Sequence, residues 1–289
     1  VWRRDVYRTL DLTKDANAPL YYPVEPTGKQ MNLFTYVFRL MLAGRIHAYQ
    51  YSLDGNENFD AKNRVNIKDL MDRYHIYYEE NDGKLLVSAQ DIPGAEVTRY
   101  YIKESSTFDQ RTSTFQQRVT ALCPVLMRGA DEFSSDATPY PLFWLNYDEV
   151  ADYLQKLPMM ASNYNNVTNM TAGDFFAMNR YEGKIYKTNN LQGRPLNSYC
   201  RDDSSMVREQ KRIEGELQQF EQSIWTTQKP DTTSVDSTEV VETKKSRKAR
   251  RSEKSSRRRD APETSSSKKK SDSTASSAAP RASVRRQRR

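Results

Sequence analysis

Four stretches of the chain place apolar residues at helical spacing behind a residue that can cap a helix. After Asn32 the apolar positions fall at i, i+3, i+4 and i+7, which predicts a helix that ends at Gly44. The same spacing follows Asn66 and predicts a second helix. Asn146 begins a third, which Pro158 ends, and a shorter one starts with the capping pair Thr171 and Asp174.

β-prone stretches lie between these helices. They predict strands at 45–53, 75–79, 84–88, 96–103, 115–127 and 184–188. Asp82-Gly83 is a turn signal between the second and third of them, and Pro124 places the fifth at a sheet edge or a bulge. Because no regular βαβ alternation appears, the sequence predicts an α+β fold of mixed helices and short antiparallel strands in one compact body.

The last predicted helix, residues 206–225, has a narrow apolar seam on a charged surface. Ile213, Leu217, Phe220 and Ile224 are separated by four, three and four residues. A seam of this width is typical of a helix that docks along a groove or on a neighbouring subunit. The alternative is that the helix packs back onto its own domain, and the sequence leaves both open.

Composition divides the chain into two parts. All 31 aromatic residues lie at or before Trp225, and residues 226–289 contain no Phe, Tyr, Trp, Leu, Ile or Met. The second part, called here the basic tail, has 19 Lys and Arg against 8 Asp and Glu, a net charge of +11. Residues 1–225 have 26 basic and 30 acidic residues, a net charge of −4. We therefore predict a folded domain at 1–225 and a disordered tail at 226–289, because the tail has too little apolar surface to offset its ordering entropy.

The basic tail is expected to contact anions. Lipid headgroups and an acidic face of a protein partner both fit its charge, and a solubilising spacer is the alternative. The candidate anion-contacting residues are Lys244, Lys245, Arg247, Lys248, Arg250, Arg251, Arg257, Arg258, Arg259, Lys268, Lys269, Lys270, Arg285, Arg286, Arg288 and Arg289.

No motif in the sequence indicates catalysis. Phosphate-binding glycine loops and the GxSxG nucleophile motif are absent, and the two histidines, His47 and His75, lie too far apart for a zinc motif. The sequence therefore predicts a protein without enzymatic activity, cofactor or metal. Cys123 and Cys200 are candidates for one disulfide in an oxidising compartment, and two unpaired thiols are the alternative.

Several blocks of the sequence together resemble the GldN/PorN family of gliding motility and type IX secretion. The most specific is Leu-Tyr-Tyr-Pro-Val-Glu-Pro at 20–26, and the others lie at 2–8, 11–12, 32–34, 44–49, 69–74 and 76–80. The resemblance covers most of residues 1–225, and the long basic tail is closer to the PorN branch.

The resemblance implies a periplasmic, non-enzymatic component of the type IX secretion machine. Its members form a ring with the outer-membrane lipoprotein GldK/PorK and contact the periplasmic part of GldM/PorM. The resemblance implies no catalytic residues. We expect the protein on the inner side of the outer membrane, with its export signal removed before Val1.

Contacts with such partners need apolar anchors. The candidate interface residues are Trp2, Leu20, Tyr21, Tyr22, Val24, Phe175, Phe176, Ile213, Leu217, Phe220, Ile224 and Trp225, with core packing as the alternative for each. Residues 20–25 are expected to form a stiff extended segment, because the prolines around them disfavour helix.

A nucleic-acid-binding protein is the rival interpretation, with the basic tail contacting phosphates. The tail contains no aromatic residue that can stack on bases. We therefore expect no specific nucleic acid partner.

Overall fold

A computed structural model describes residues 2–129, 137–159, 170–190 and 192–226, with the side chains of 225 and 226 left out. The described residues belong to one unit of the chain, Val1–Asp231. They form an antiparallel sheet with helices, as the sequence predicts.

The strands of the main sheet are β1 (Trp2–Asp11), β4 (Arg99–Asp109), β5 (Thr114–Arg128), β6 (Thr138–Pro141), β7 (Leu145–Asn146) and β8 (Gly183–Thr188), and a separate hairpin joins β2 (Glu79–Asn81) to β3 (Lys84–Leu86). The strand order in the main sheet is β6-β5-β4-β1-β8, and the two-residue strand β7 also pairs with β5. The longest strands, β1, β4 and β5, are neighbours in this order.

Side-chain oxygens at the predicted capping residues cap four of the helices. Asn32 accepts a hydrogen bond from the Thr35 amide, and Thr171 and Asp174 form a complete capping box. The α-helices of the described residues are α1 (Ala18–Tyr21), α2 (Leu33–Leu42), α3 (Ile67–Arg73), α4 (Tyr147–Leu154), α5 (Ala172–Ala177) and α6 (Asp203–Thr226).

One face of the sheet, the helical face, is covered by helices. Leu10, Ile102 and Leu122 share a core with apolar residues of α2 to α5. Nearer the start of β1, Val6 and Ile185 pack instead against Ile213 and Leu217 of α6. The seam of α6 therefore packs on its own domain, which is the second of the two alternatives that the sequence left open.

The opposite face, the loop face, is covered by the segment between α2 and α3. Tyr49, Tyr51 and Phe59 of this segment pack with Trp144 and with Tyr7 of β1. The sequence predicts a strand at 45–53, and that prediction is wrong. Tyr49 forms isolated β-bridges to Arg64 and Trp144, but no residue of 45–53 belongs to a strand, because the segment packs over the loop face instead of joining the sheet.

Two predictions that were based on prolines also differ from the structure. Near Pro124, β5 has paired strands on both sides, so it is not an edge strand there. On one side it pairs first with β7 and then with β6, and Pro124 lies in the short unpaired gap between them. Residues 20–25 are not extended throughout, because Leu20 and Tyr21 belong to α1. Pro19 fits near the start of that helix, where its missing N–H costs nothing.

Candidate interaction site

The predicted interface residues separate into a buried and an accessible group. Phe175 and Phe176 are each 1% exposed, and they contact each other edge-to-face in the main core. Leu20, Ile213 and Leu217 are buried as well. For these five residues the structure shows core packing, the alternative that the sequence left open, because the helices that carry them use their apolar faces to pack inward.

The accessible group includes the block around α1. Tyr22 is 52% exposed, whereas Tyr21 and Val24 are half-buried. The Tyr21 hydroxyl donates to the carbonyl of Ala95 at 3.1 Å, and the rings of Tyr21 and Tyr22 meet edge-to-face with centroids 5.0 Å apart. This arrangement holds one aromatic ring firmly beside another that faces solvent.

Trp2 and Phe220 come together at one end of the sheet. Their rings stack with centroids 3.9 Å apart, and Phe220 also contacts Phe108 and Phe115 at 6.0 and 6.4 Å. Phe108 and Phe115 face each other across β4 and β5 where the two strands meet. We call these four rings the aromatic end, and all four are partly exposed.

Phe108 and Phe115 are not among the residues that the sequence singled out. Each lies next to the turn that joins β4 to β5, and an aromatic pair across such a turn is a recognisable signal. Ile224 is half-buried one helical turn beyond Phe220 on the same face of α6. The side chain of Trp225 lies outside the described residues, as does all of the basic tail beyond Thr226.

Polar contacts fix α6 to the helical face. Arg4 donates to Glu216 at 2.7 Å, and the side-chain amide of Gln210 donates to the Ile185 carbonyl at 2.8 Å. Arg8 binds Glu214 through two guanidinium nitrogens. These contacts set the position of α6 along β1, and so they place Phe220 against Trp2.

Arg8 is also part of a buried polar cluster. Its Nε donates to Glu104 at 2.7 Å, and Glu104 accepts from the Tyr181 hydroxyl at 2.5 Å and from Gln117 at 3.2 Å. Burial lowers the pKa of Arg8, but the hydrogen bonds and charges of Glu214 and Glu104 outweigh it, so that pKa is raised. Burial, reinforced by Glu104, raises the pKa of Tyr181. Arg8 therefore keeps its charge, and Tyr181 its proton, at neutral pH.

A second polar cluster lies under the segment on the loop face. Lys103 forms ion pairs with Glu57 and, at 3.2 Å, with Asp5. The Tyr7 hydroxyl donates to Glu57 at 2.8 Å, and the Lys187 ammonium donates to the carbonyl of Asp54 at 3.0 Å. These bonds attach the segment to the sheet.

The two cysteines are free in the structure. Cys123 packs with Tyr7 on the loop face, whereas Cys200 packs against the group of Val6 on the helical face. Adjacent residues of a strand point to opposite faces, so the sheet lies between the two thiols. Burial raises the pKa of the Cys123 thiol.

The outer sides of β6 and β8 offer few free backbone groups to an added strand. The Leu142 amide donates inward to Pro124, so by alternation the outward positions of β6 are Pro139 and Pro141, which have no N–H. On β8, the Gln210 side chain donates to the Ile185 carbonyl, and Lys187 bridges to Pro195. Within the described residues, positions 114–120 of β5 pair only with β4, so the outer side of this part of β5 is an open sheet edge.

One cleft of the described residues has a volume of about 300 Å³ and is lined by Arg64, Asp69, Arg73 and Tyr74, among others. Within the described ranges, no group of three or more His, Cys, Asp or Glu side chains is placed to hold a metal ion. No helix in the same ranges is both long enough and apolar enough to cross a membrane.

The chain matches a known protein family. The model of a family described as "Gliding motility associated protein GldN" matches residues 1–226. This range contains the whole described body, from β1 to the last described residue of α6. No curated protein matches the chain.

Proposed function

The chain belongs to the GldN family, a family of gliding motility and type IX secretion, and from this premise we propose that it is a non-enzymatic ring subunit of the secretion machine. The observation that carries the proposal is the extent of the family match, residues 1–226, which leaves out only the basic tail. We place the protein in the periplasm, on the inner side of the outer membrane. There it assembles with copies of itself and with a GldK/PorK-type lipoprotein.

The energy-transducing partner in this proposal is the periplasmic part of a GldM/PorM protein. A ring subunit needs two different surfaces for its neighbours and further surfaces for the lipoprotein and for this partner. Aromatic side chains with few rotatable bonds are efficient anchors for such contacts.

The surface that we assign to the lipoprotein or to a neighbouring subunit is the block of Tyr21, Tyr22 and Val24. Leu20, which the sequence also predicted there, instead holds α1 to the core. Tyr22 has the largest exposed fraction of the block, at 52%, and Tyr21 orients it from below. Burial of these rings on assembly would remove apolar area from water without ordering a flexible segment.

The experiment is co-expression of the full chain with its GldK/PorK-type lipoprotein, affinity purification, and electron microscopy for closed rings. Tyr22→Ser alone and Tyr21→Ser with Tyr22→Ser are the test variants. Tyr77→Ser is the matched control, because Tyr77 is 63% exposed on a different part of the surface, just before the β2–β3 hairpin.

We expect co-purification and rings from the wild type and the control, and reduced yield of the complex from both test variants. Unfolding measured in parallel separates lost assembly from lost folding. A wild-type chain that neither binds the lipoprotein nor forms rings contradicts the proposed function. Intact assembly and intact stability in the double variant contradict only the assignment of the surface.

A further inference from the structure

We propose that the open edge of β5 pairs with the same edge of a second copy of the chain. The open edge comprises residues 114–120, which pair only with β4 among the described residues. The two strands run antiparallel, with Gln116 of one copy directly opposite Gln116 of the other. The inference goes beyond the proposed function, because it concerns the purified chain and needs neither the lipoprotein nor the ring.

The open edge lacks the protection that the other outer strands of the sheet have. β6 presents Pro139 and Pro141 outward, and on β8 the Gln210 side chain occupies the Ile185 carbonyl. Prolines, charged side chains and bulges are the usual devices that keep an edge from pairing. Residues 114–117 (Thr-Phe-Gln-Gln) contain no proline, glycine or charge. Since no described strand pairs with them on the outer side, their outward N–H and C=O groups are available to another extended chain.

The geometry of β5 limits where an added strand can pair. β5 follows β4 in regular register from Thr114 to Val119, and the register shifts at Thr120. Val119 is itself buried, and β7 occupies the outer side of β5 beyond the shift. An added strand is therefore limited to residues 114–118. Two copies centred on Gln116 use this stretch fully on both strands.

The register around Gln116 makes the open edge complementary to itself. With Gln116 opposite its own copy, Thr114 lies opposite Arg118 and Phe115 lies opposite Gln117. Each pair shares a face of the sheet, because side chains alternate along a strand. Like charges directly opposite each other would be destabilising, and here the two Arg118 side chains stand four residues apart along the strands, about 13 Å.

The same register brings two partly exposed aromatic ends together. Phe115 lies on the helical face, where its ring and that of Phe220 have centroids 6.4 Å apart, and both residues are partly exposed. In the pair, Phe115 of one copy is the diagonal neighbour of Phe115 of the other on that face. Diagonal neighbours lie about 7–8 Å apart, within reach of aromatic side chains. The contact therefore removes apolar surface from water, which favours a second copy over an extended peptide without an aromatic residue.

The contact is small, with five residues on each strand. Interfaces below about 1,200 Å² are typical of transient association, so we expect a monomer–dimer equilibrium that depends on concentration. A twofold contact joins two chains and cannot continue around a ring, which needs two different surfaces on each subunit. The open edge is therefore separate from the contacts between neighbours in the proposed ring.

The first experiment is sedimentation velocity on the full chain alone, under reducing conditions, over a series of concentrations. Gln116→Lys and Gln116→Glu each place two like charges opposite each other, and we expect each to weaken dimerisation by about fivefold. An equimolar mixture of the two variants should associate more strongly than either alone, because opposite charges then face each other. Ser88→Lys is the control, since Ser88 is exposed just after the β2–β3 hairpin.

The second experiment tests the register with single cysteines in a Cys200→Ser background. Gln116→Cys should form disulfide-linked dimers under mild oxidation, because directly opposite Cβ atoms lie about 4.5–5.5 Å apart. Thr114→Cys and Arg118→Cys should link to each other in a mixture and link poorly when each is alone. Ser88→Cys is the control and should give few dimers. Thermal unfolding of each variant confirms that it is folded.

Three outcomes would overturn the inference. The first is a wild-type chain that stays monomeric at every concentration, as expected if another segment or another protein covers the edge. The second is a dimer whose affinity is the same in the folded charge variants and in their mixture, which would place the contact on another surface. The third is cross-linking through Gln116→Cys that is no more efficient than through Ser88→Cys.

Discussion

Arg8 of β1 and Glu104 of β4 form a buried ion pair, with the guanidinium Nε 2.7 Å from the carboxylate oxygen. The pair lies on the helical face of the sheet, where Glu214 of α6 reaches Arg8 from the other side. A charge pair at this depth costs desolvation energy when the chain folds. It also fixes which part of α6 lies over which part of β1.

Removing one partner of this pair should be strongly destabilising. We expect Arg8→Met to lower the free energy of unfolding by about 3–5 kcal/mol, because Glu104 is left as a buried charge without its cation. Urea unfolding of Arg8→Met, Glu104→Leu and the double variant forms a double-mutant cycle. The loss of unfolding free energy in the double variant should be smaller than the sum of the two single losses by about 1–3 kcal/mol. Strictly additive losses would show that the two side chains do not interact.

Substitutions at the core residues Phe175 and Phe176 should destabilise the fold far more than a substitution at the exposed Tyr22. Phe175→Ala should lower the free energy of unfolding by about 3–5 kcal/mol, since it leaves a cavity in the main core. Tyr22→Ser should change the same quantity by no more than about 0.5 kcal/mol. Thermal and urea unfolding of the two variants would check this. Similar stabilities for both variants would show that α5 does not pack as described.

The stacked rings of Trp2 and Phe220 should hold the second half of α6 to the sheet. We expect Phe220→Ala to lower the free energy of unfolding by about 2 kcal/mol, less than a fully buried ring because Phe220 is partly exposed. Amide hydrogen exchange should become faster in the last turns of α6 and remain slow around Ile213. Unchanged exchange throughout α6 would contradict the stacking as a source of its order.

Asp5 should stabilise the fold in a pH-dependent manner. Burial raises the pKa of Asp5, but hydrogen bonds from Arg3 and the charge of Lys103 outweigh it, so the pKa lies below its ordinary value. A depressed folded-state pKa contributes stability above the unfolded pKa of about 4, and that contribution is lost as the pH falls through the folded value.

Asp5→Asn should therefore be less stable than the wild type at pH 7, and the difference should shrink as the pH falls below about 4. Urea unfolding over a pH series measures it. Glu25→Gln, at an exposed carboxylate, is the control and should follow the wild-type pH profile. A constant difference between Asp5→Asn and the wild type at every pH would show that the Asp5 charge has no part in stability.

The two thiols should differ in reactivity and should not join. Cys123 is fully buried with a raised pKa, whereas Cys200 is partly exposed. A thiol reagent should therefore modify Cys200 in the native protein and both residues only after unfolding. Under oxidising conditions, mass spectrometry of non-reduced peptides should find no Cys123–Cys200 link. Such a link at high yield would contradict the separation of the two residues by the sheet.

Local patterns predicted most of the helices correctly. The caps at Asn32, Asn66, Asn146 and Thr171 all form, because a side-chain oxygen and the amides it binds lie within one turn of each other. The hairpin at Asp82-Gly83 is also determined locally, since both residues of its turn adopt a positive φ. Such signals depend on neighbours in the sequence and need no knowledge of the rest of the fold.

Predictions that depended on distant residues were less successful. The segment 45–53 has strand-like composition, yet the central strands have other neighbours and the segment instead covers the loop face. The sequence leaves Phe175 and Phe176 open between an interface and the core, and the structure buries both in the main core. Which side chains are buried and which strands pair depend on which helices and strands meet in space. Local sequence patterns do not contain that information.

The sequence by itself determined the α+β class, the capped helices, the family resemblance and the separation of charge between body and tail. Each of these depends on local spacing or on composition, and both can be read directly from the order of residues in the chain. Only the tertiary structure decided that Arg8 and Glu104 share a buried site, that the sheet lies between Cys123 and Cys200, and that Trp2 meets Phe220. Those relationships depend on the order and register of the strands, which bring together residues far apart in the chain.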